Sequence, residues 1–174
     1  VKLLLLGGTA EARDLAARLA GRPDLSLVSS LAGRVRDPRL PAGEVRVGGF
    51  GGVPGLVDWL RDQRVDLVVD ATHPYAATMQ ANAATACGRL GLPRLRLARA
   101  GWRARDGDRW HWVDGLAEGA AVLPSLGTRV FLTTGRQGLA VFAGLDRLWF
   151  LVRCVDQPSG PMPARCEVLL ARGP

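Results

Sequence analysis

An α/β fold in two lobes, each on a parallel sheet, is the class the sequence predicts, and three features point to it. Short apolar runs alternate with helical patterns over residues 1–99, a Gly-Gly-Thr turn joins the first run to the first helix, and the alternation breaks near residue 100 before restarting. A chain of 174 residues has room for one domain and part of another. The expected division is 1–99 and 100–174, with the second lobe ending early, as a further strand closes.

The first run, Lys2 to Leu6 (KLLLL), is continuously apolar, the pattern of a strand buried on both faces. Glu11 to Ala20 follows as a helix with Leu15, Ala16 and Leu19 on one face. Strands are predicted at Leu25 to Ser30, Glu44 to Phe50, Asp66 to Thr72 and Pro93 to Ala98. Helices are predicted at Val53 to Gln63 and at Tyr75 to Leu90, and this order implies a doubly wound parallel sheet. The stretch GWRARDGDRWHWVDG holds three of the five tryptophans and reads as a connection or a hairpin. Beyond it come a strand at Val130 to Gly135, a helix near Gln137 to Ala143, and a strand at Trp149 to Cys154.

A net charge of +7 raises the question of nucleic acid. Lys2 is the sole lysine, however, and the arginines scatter from Arg13 to Arg172 without forming a stripe, so no nucleic-acid partner is expected. An anionic small molecule is the better use for them, because a guanidinium forks carboxylate and phosphate bidentately. Cys87, Cys154 and Cys166 form no CxxC pair; they read as buried thiols, not a disulfide framework or a zinc site. No run reaches the ~18 apolar residues of a membrane span and no signal-peptide pattern is present. A cytoplasmic chain without a membrane partner is therefore expected.

The turn after the first strand places backbone N–H groups at a helix start, where the dipole favours an anion. Counting from Gly7, the positions of the dinucleotide fingerprint GxGxxG/A fall on Gly7, Thr9 and Ala12, and the middle one departs from glycine. Two readings stay open for the hexapeptide: a plain turn, or a pyrophosphate cradle of Gly7, Gly8, Thr9, Ala10 and Glu11 in which the Thr9 hydroxyl reaches a phosphate. NAD enzymes commonly carry an acid after the second strand for the ribose 2′-OH. Here there is no acid between Ser26 and Arg36; Ser29, Ser30, Gly33, Arg34 and Arg36 stand there instead. That chemistry suits a 2′-phosphate, with Arg34 the favoured contact, and so NADPH over NADH.

GGFGG (Gly48 to Gly52) closes the third strand, and Gly49, exposed Phe50 and Gly51 are expected where backbone passes close to a flat ligand. DATHPY (Asp70 to Tyr75) closes the fourth, placing Thr72, His73 and Tyr75 at the carboxyl end of the sheet, where ligands bind. Pro74 can start the next helix, and Thr72 or His73 can cap it. His73 and Tyr75 are the candidate catalytic residues, with water an equal alternative as proton donor; His111 between Trp110 and Trp112 is expected to be structural, and no metal site is expected. In the second lobe, Thr133, Thr134, Gly135 and Arg136 repeat the strand, turn and helix arrangement and suit a carboxylate or phosphate, with a helix cap by Thr134 as the alternative. Tyr75 and Lys2, each the sole residue of its type, form no Tyr-x-x-x-Lys pair, which excludes carbonyl reduction by the short-chain dehydrogenase route. No G-x-S-x-G elbow occurs.

Taken in order, LLLGGTAEARDLA, SSLAGR, VGGFGGVPGL, VVDATHPYAATMQANA and FLTTGRQGL resemble the precorrin-6A reductase family of corrin biosynthesis, over Leu3 to Arg153. The resemblance implies two Rossmann-like lobes with a substrate cleft between them. It implies reduction of one double bond of the precorrin-6A macrocycle to give precorrin-6B: a hydride from NADPH passes to a carbon joining two pyrrole-derived rings, and a proton to its neighbour. The anaerobic-route counterpart acts on the cobalt-containing analogue, and for it NADH is the expected cofactor. The substrate is a polycarboxylate tetrapyrrole, so Arg99, Trp102, Arg136 and Arg153 are expected cleft contacts. Transient contact with neighbouring pathway enzymes is a further expectation. The chain has Ala100 where the family usually has proline after the arginine of its Arg-x-x-Trp segment, and it lacks the later Lys-Asp-Ser-Gly motif. The second lobe is therefore expected to be incomplete, and the alternative function is a non-catalytic NADP-binding or sensor domain.

Overall fold

The computed structural model describes residues 1–33 and 40–171. The chain divides into two compact units, Val1–Trp102 and Arg103–Pro174.

The first unit carries strands β1 (Lys2–Leu6), β2 (Ser26–Leu31), β3 (Glu44–Val47), β4 (Leu67–Asp70) and β5 (Arg94–Arg96), with helices α1 (Ala10–Leu19), α2 (Gly52–Asp62) and α3 (Ala77–Leu90). All pairings in its five-stranded sheet are parallel, in the order β3-β2-β1-β4-β5, so the doubly wound arrangement is as the sequence predicts. Leu3 to Leu6 are all apolar and buried because β1 is central. Leu3 and Leu5 pack with Ala12 and Ala16 of α1 on one face. Leu4 and Leu6 pack with Leu56 and Leu60 of α2 and Ala83 and Cys87 of α3 on the other. Each buried leucine contributes roughly 1.5–3 kcal/mol, which makes β1 the spine of both layers.

Local chemistry sets the ends of the elements. Strand β3 stops at Val47, earlier than expected, because Gly48 has φ +122°, a backbone angle that breaks the ladder and that side-chain-bearing residues rarely adopt. Helix α2 accepts Pro54 because it lies in the first turn, where an N–H would have no intrahelical acceptor. Pro74 does not start α3. It occupies the second position of a turn closed by the Ala76 amide on the His73 carbonyl at 2.8 Å, and α3 begins at Ala77 without a side-chain cap, so neither Thr72 nor His73 caps it.

The second unit holds helix α4 (Leu116–Leu126), strands β6 (Arg129–Leu132), β7 (Trp149–Cys154) and β8 (Cys166–Leu170), and a 3₁₀ turn at Leu139–Phe142. Its three strands are parallel in the order β6-β7-β8. Phe150, Val152 and Cys154 of β7 pack with Ala120, Leu139 and Phe142. Residues 97–115 form an irregular connection, not a hairpin, and His111, Trp112 and Trp102 in it are exposed, so the structural role expected for His111 is not seen. Cys87 and Cys154 are buried, and burial pushes both thiols above the ordinary value; Cys166 is only partly buried. No helix among the described residues is long and apolar enough to cross a membrane.

A methyl group built on Gly55 of α2 would run into the Phe50 carbonyl oxygen, a backbone atom. Gly55→Ala is expected to cost about 1–3 kcal/mol in urea unfolding and to displace the 48–52 turn. An unchanged midpoint would mean that this close approach carries no constraint.

Candidate functional site

Strands β1 and β4 are neighbours whose following connections lead to opposite sides of the sheet, which makes the gap beyond their carboxyl ends a topological switch point. The Gly-Gly-Thr turn leaves β1 there, and Ala71, Thr72 and His73 leave β4 beside it. The Gly7 amide donates to the Ser30 carbonyl of β2 at 2.9 Å. Gly8 has φ +109°, and nothing lies within 4 Å of where its Cβ would be, so the turn presents backbone to open space. The amides of Ala10 and Glu11 open α1 and have no acceptor within it, which suits an anion at the positive end of the dipole.

Thr9 does something other than expected. It is buried; its Oγ1 accepts the Ala12 amide at 3.2 Å as the N-cap of α1 and donates to the Ala71 carbonyl at 2.8 Å. Its hydroxyl is thereby spent on the protein and ties the two loops across the switch point, so only its backbone is offered to a phosphate. Arg99, expected to contact substrate, pairs with the Glu11 carboxylate at 2.9 Å. That bond, helped by Glu11's own amide, holds the Glu11 carboxyl below the usual carboxylate range.

The centre of the site is Asp70, the last residue of β4, whose side chain is 0% exposed. Its Oδ2 accepts from Arg94 at 3.1 Å and Arg96 at 2.9 Å, both on β5. Its Oδ1 accepts the Thr72 hydroxyl at 2.7 Å and the Thr72 amide at 3.2 Å. Buried Thr72 thus has its hydroxyl turned inward, not toward a ligand. Sequence reasoning did not single out Asp70, Arg94 or Arg96, although the RLR alternation puts both arginines on one face of β5. His73 and Tyr75 follow, both exposed, with ring centroids 5.1 Å apart and Tyr75 89% exposed. His73 Nδ1 accepts the Tyr75 amide at 3.2 Å, and the Gln80 side chain holds the turn by donating to the His73 and Pro74 carbonyls.

The 48–52 turn lies at the carboxyl end of β3. Phe50 is half-buried, not exposed as expected: its ring meets Trp59 edge-on at 5.5 Å, and Arg46 lies over it. Gly49 and Gly51 have nothing within 4 Å of a Cβ position. Gly33, with φ +71°, would bring a Cβ to 3.3 Å from Val47. Arg34 and Arg36, the expected 2′-phosphate contacts, lie outside the described residues. A dinucleotide fits this edge, since glycine backbone, free of side chains, lines its approach at Gly8, Gly49 and Gly51.

In the second unit Thr133 and Thr134 are exposed, and Gly135 turns with φ +78°. Arg136 reaches Asp156 at 3.8 Å, and Arg153 is partly buried on β7. The expected helix after this turn is only the four-residue 3₁₀ segment, capped by Gly138 and not by Thr134, so no helix dipole faces the TTGRQG stretch. No cluster of three or more His, Cys, Asp or Glu suited to a metal occurs among the described residues.

Asp70→Asn is expected to lower stability by about 2–3 kcal/mol. That is below the ~3–5 kcal/mol of a fully buried broken pair, because the two arginines keep partial access to water. Urea unfolding measures it, and a loss under about 0.5 kcal/mol would contradict a structural role for the carboxylate.

Comparisons with known proteins follow the same outline. Over 173 residues, the chain is 56% identical to a precorrin-6A reductase of Rhodococcus erythropolis, covering 99% of this chain and 70% of the relative. With a precorrin-6A reductase of Mycobacterium tuberculosis (strain ATCC 25618 / H37Rv) it shares 54% over 175 residues, covering 99% and 69%. A solved structure described as CobK precorrin-6A reductase superposes with a TM-score of 0.90 at 45% identity, covering 99% of this chain and 69% of that one. The family model described as precorrin-6x reductase CbiJ/CobK matches residues 2–174. This chain belongs to the precorrin-6x reductase CbiJ/CobK family.

Proposed function

We propose that the protein reduces one double bond of precorrin-6A with NADPH, as an oxidoreductase of cobalamin biosynthesis. The observation that carries this reading is the glycine-lined edge at the switch point of the first sheet, in a chain of this family. When bound, the nicotinamide cofactor supplies the hydride. The amides of Gly8, Thr9 and Ala10 hold the pyrophosphate in the turn that Gly7 and Glu11 frame, Gly7 by its bond to the Ser30 carbonyl, and Ser30, Gly33 and Arg34 hold the adenosine end. Gly49, Phe50 and Gly51 lie along the nucleotide, and Thr72 and His73 bound its reactive end.

The substrate is a polycarboxylate tetrapyrrole, for which Arg136, Arg153 and the Thr133–Gly135 turn offer charge and hydrogen-bond donors, and Trp102 an exposed ring. Arg99 reaches that substrate only by exchanging Glu11 for a substrate carboxylate. Because His73 Nδ1 accepts the Tyr75 amide, a neutral imidazole carries its proton on Nε2. We assign His73 as the proton donor from Nε2 in its cationic form, in which Nδ1 gives up the Tyr75 amide and carries a proton itself, with Tyr75 as its neighbour.

Nicotinamide fluorescence titration tests the cofactor half of the proposal. NADPH is expected to bind in clear preference to NADH, and Arg34→Ala to remove that preference; equal affinity for the two cofactors would refute it. His73→Phe is expected to lower turnover of precorrin-6A by about 100-fold or more, the usual range for a lost general acid. Unchanged turnover would assign the proton to water.

A further inference from the structure

The carboxyl edge of the first sheet carries a cation for which no carboxylate partner is present among the described residues. Arg46 stands on β3 opposite Ser30 of β2. Its Nη1 donates to the Gly48 carbonyl at 2.6 Å and lies 3.4 Å from the Ser30 hydroxyl, while Nη2 donates to the Gly49 carbonyl at 2.7 Å. The guanidinium carbon sits 3.8 Å from the Phe50 ring centroid and 5.8 Å from that of Trp59. Two carbonyl dipoles and an aromatic face fix the plane of the cation without cancelling its charge. Partial burial lowers its pKa from the ordinary arginine value, yet a guanidinium stays charged at neutral pH. Of its five N–H donors, those on Nε and one on Nη2 make no hydrogen bond to a described residue.

The location gives this fork a use. In a doubly wound sheet, a dinucleotide whose pyrophosphate rests on the first turn lays its adenosine ribose over the carboxyl end of the second strand. Ser30 is at that end, its carbonyl holding the Gly7 amide and its hydroxyl facing Arg46. We propose that Arg46, with Ser30, binds a phosphate monoester on the ribose of the bound dinucleotide and so contributes, together with Arg34, to cofactor choice. The inference rests on the dinucleotide reading of the glycine turn. A guanidinium held flat before the ligand arrives loses little freedom on binding. The turn that holds it depends on Gly48, whose φ of +122° would strain a side-chain-bearing residue.

The test uses the whole chain and its Arg46→Gln and Arg46→Lys variants. Each is titrated with NADPH, NADH, adenosine 2′,5′-bisphosphate and AMP, with thermal unfolding recorded alongside. The expected result is a loss of roughly tenfold or more for NADPH and the bisphosphate in Arg46→Gln, as for a lost charge-assisted hydrogen bond. NADH and AMP should shift by less than about twofold, and Arg46→Lys should keep part of the preference because it keeps the charge. Equal losses for phosphorylated and unphosphorylated nucleotides would overturn the proposal and leave Arg46 as a brace for the turn. An unchanged preference in Arg46→Gln would overturn it too, with the dinucleotide reading intact. If the unaltered chain binds none of the four, the dinucleotide reading fails and this inference with it.

Discussion

One buried carboxylate organises the functional edge of the first unit. Asp70 ends β4 inside the protein, and a charge removed from water there must be compensated by partners on the spot. Its partners come from two directions: Arg94 and Arg96 from β5, and the hydroxyl and amide of Thr72 from the loop that follows. The edge strand, the central sheet and the start of the DATHPY loop are therefore held through one side chain. The Thr9 hydroxyl extends the network to the other wall of the switch point by bonding Ala71. The glycine turn after β1 and the loop after β4 are in this way fixed relative to each other before any ligand arrives.

Such fixing matters for a reaction in which the cofactor carries the hard chemistry. Hydride transfer depends on how closely the donor and acceptor carbons are held, and a rigid floor contributes by restricting the approach. Thr9, Asp70 and Thr72 bond inward at the switch point, while glycine backbone at Gly8, Gly49 and Gly51 is turned outward. In the proposed function, backbone amides suit this place because they come close to a phosphate without adding side-chain freedom to be lost on binding. Charge is supplied from beside this floor, by arginines on or near strand ends.

The fold of the first unit was legible because its signals are local. A strand buried on both faces must be apolar along its buried length, and Leu3 to Leu6 are. Helices α1 to α3 announced themselves by their spacing, with no end displaced by more than two residues. The second unit was harder. Helix α4 escaped notice because Gly119 and Pro124 lie inside it and only Ala120 is fully buried, so no apolar stripe marks it. The segment after β6 looked helical but closes as one 3₁₀ turn. In the candidate site, the residue types around the glycine turn could be read, whereas side-chain partners could not. Thr9 was expected to face a phosphate and instead caps α1, and Phe50 was expected in solvent and lies against Trp59. Asp70 and Arg46 went unremarked since their partners are set by sheet order and register, which bring residue 70 beside 94 and 96, and residue 46 beside 30, without any local pattern.

The most direct measurement follows the transferred atom. Precorrin-6A is incubated with the chain and NADPH carrying deuterium at nicotinamide C4, on each face in turn, and the reduced macrocycle is weighed by mass spectrometry. The account predicts oxidation of the cofactor and a single deuterium in the product from one face only, since the hydride comes from a cofactor held in one orientation. Binding of NADPH with neither oxidation nor deuterium transfer would contradict it and leave a nucleotide-binding domain without this chemistry.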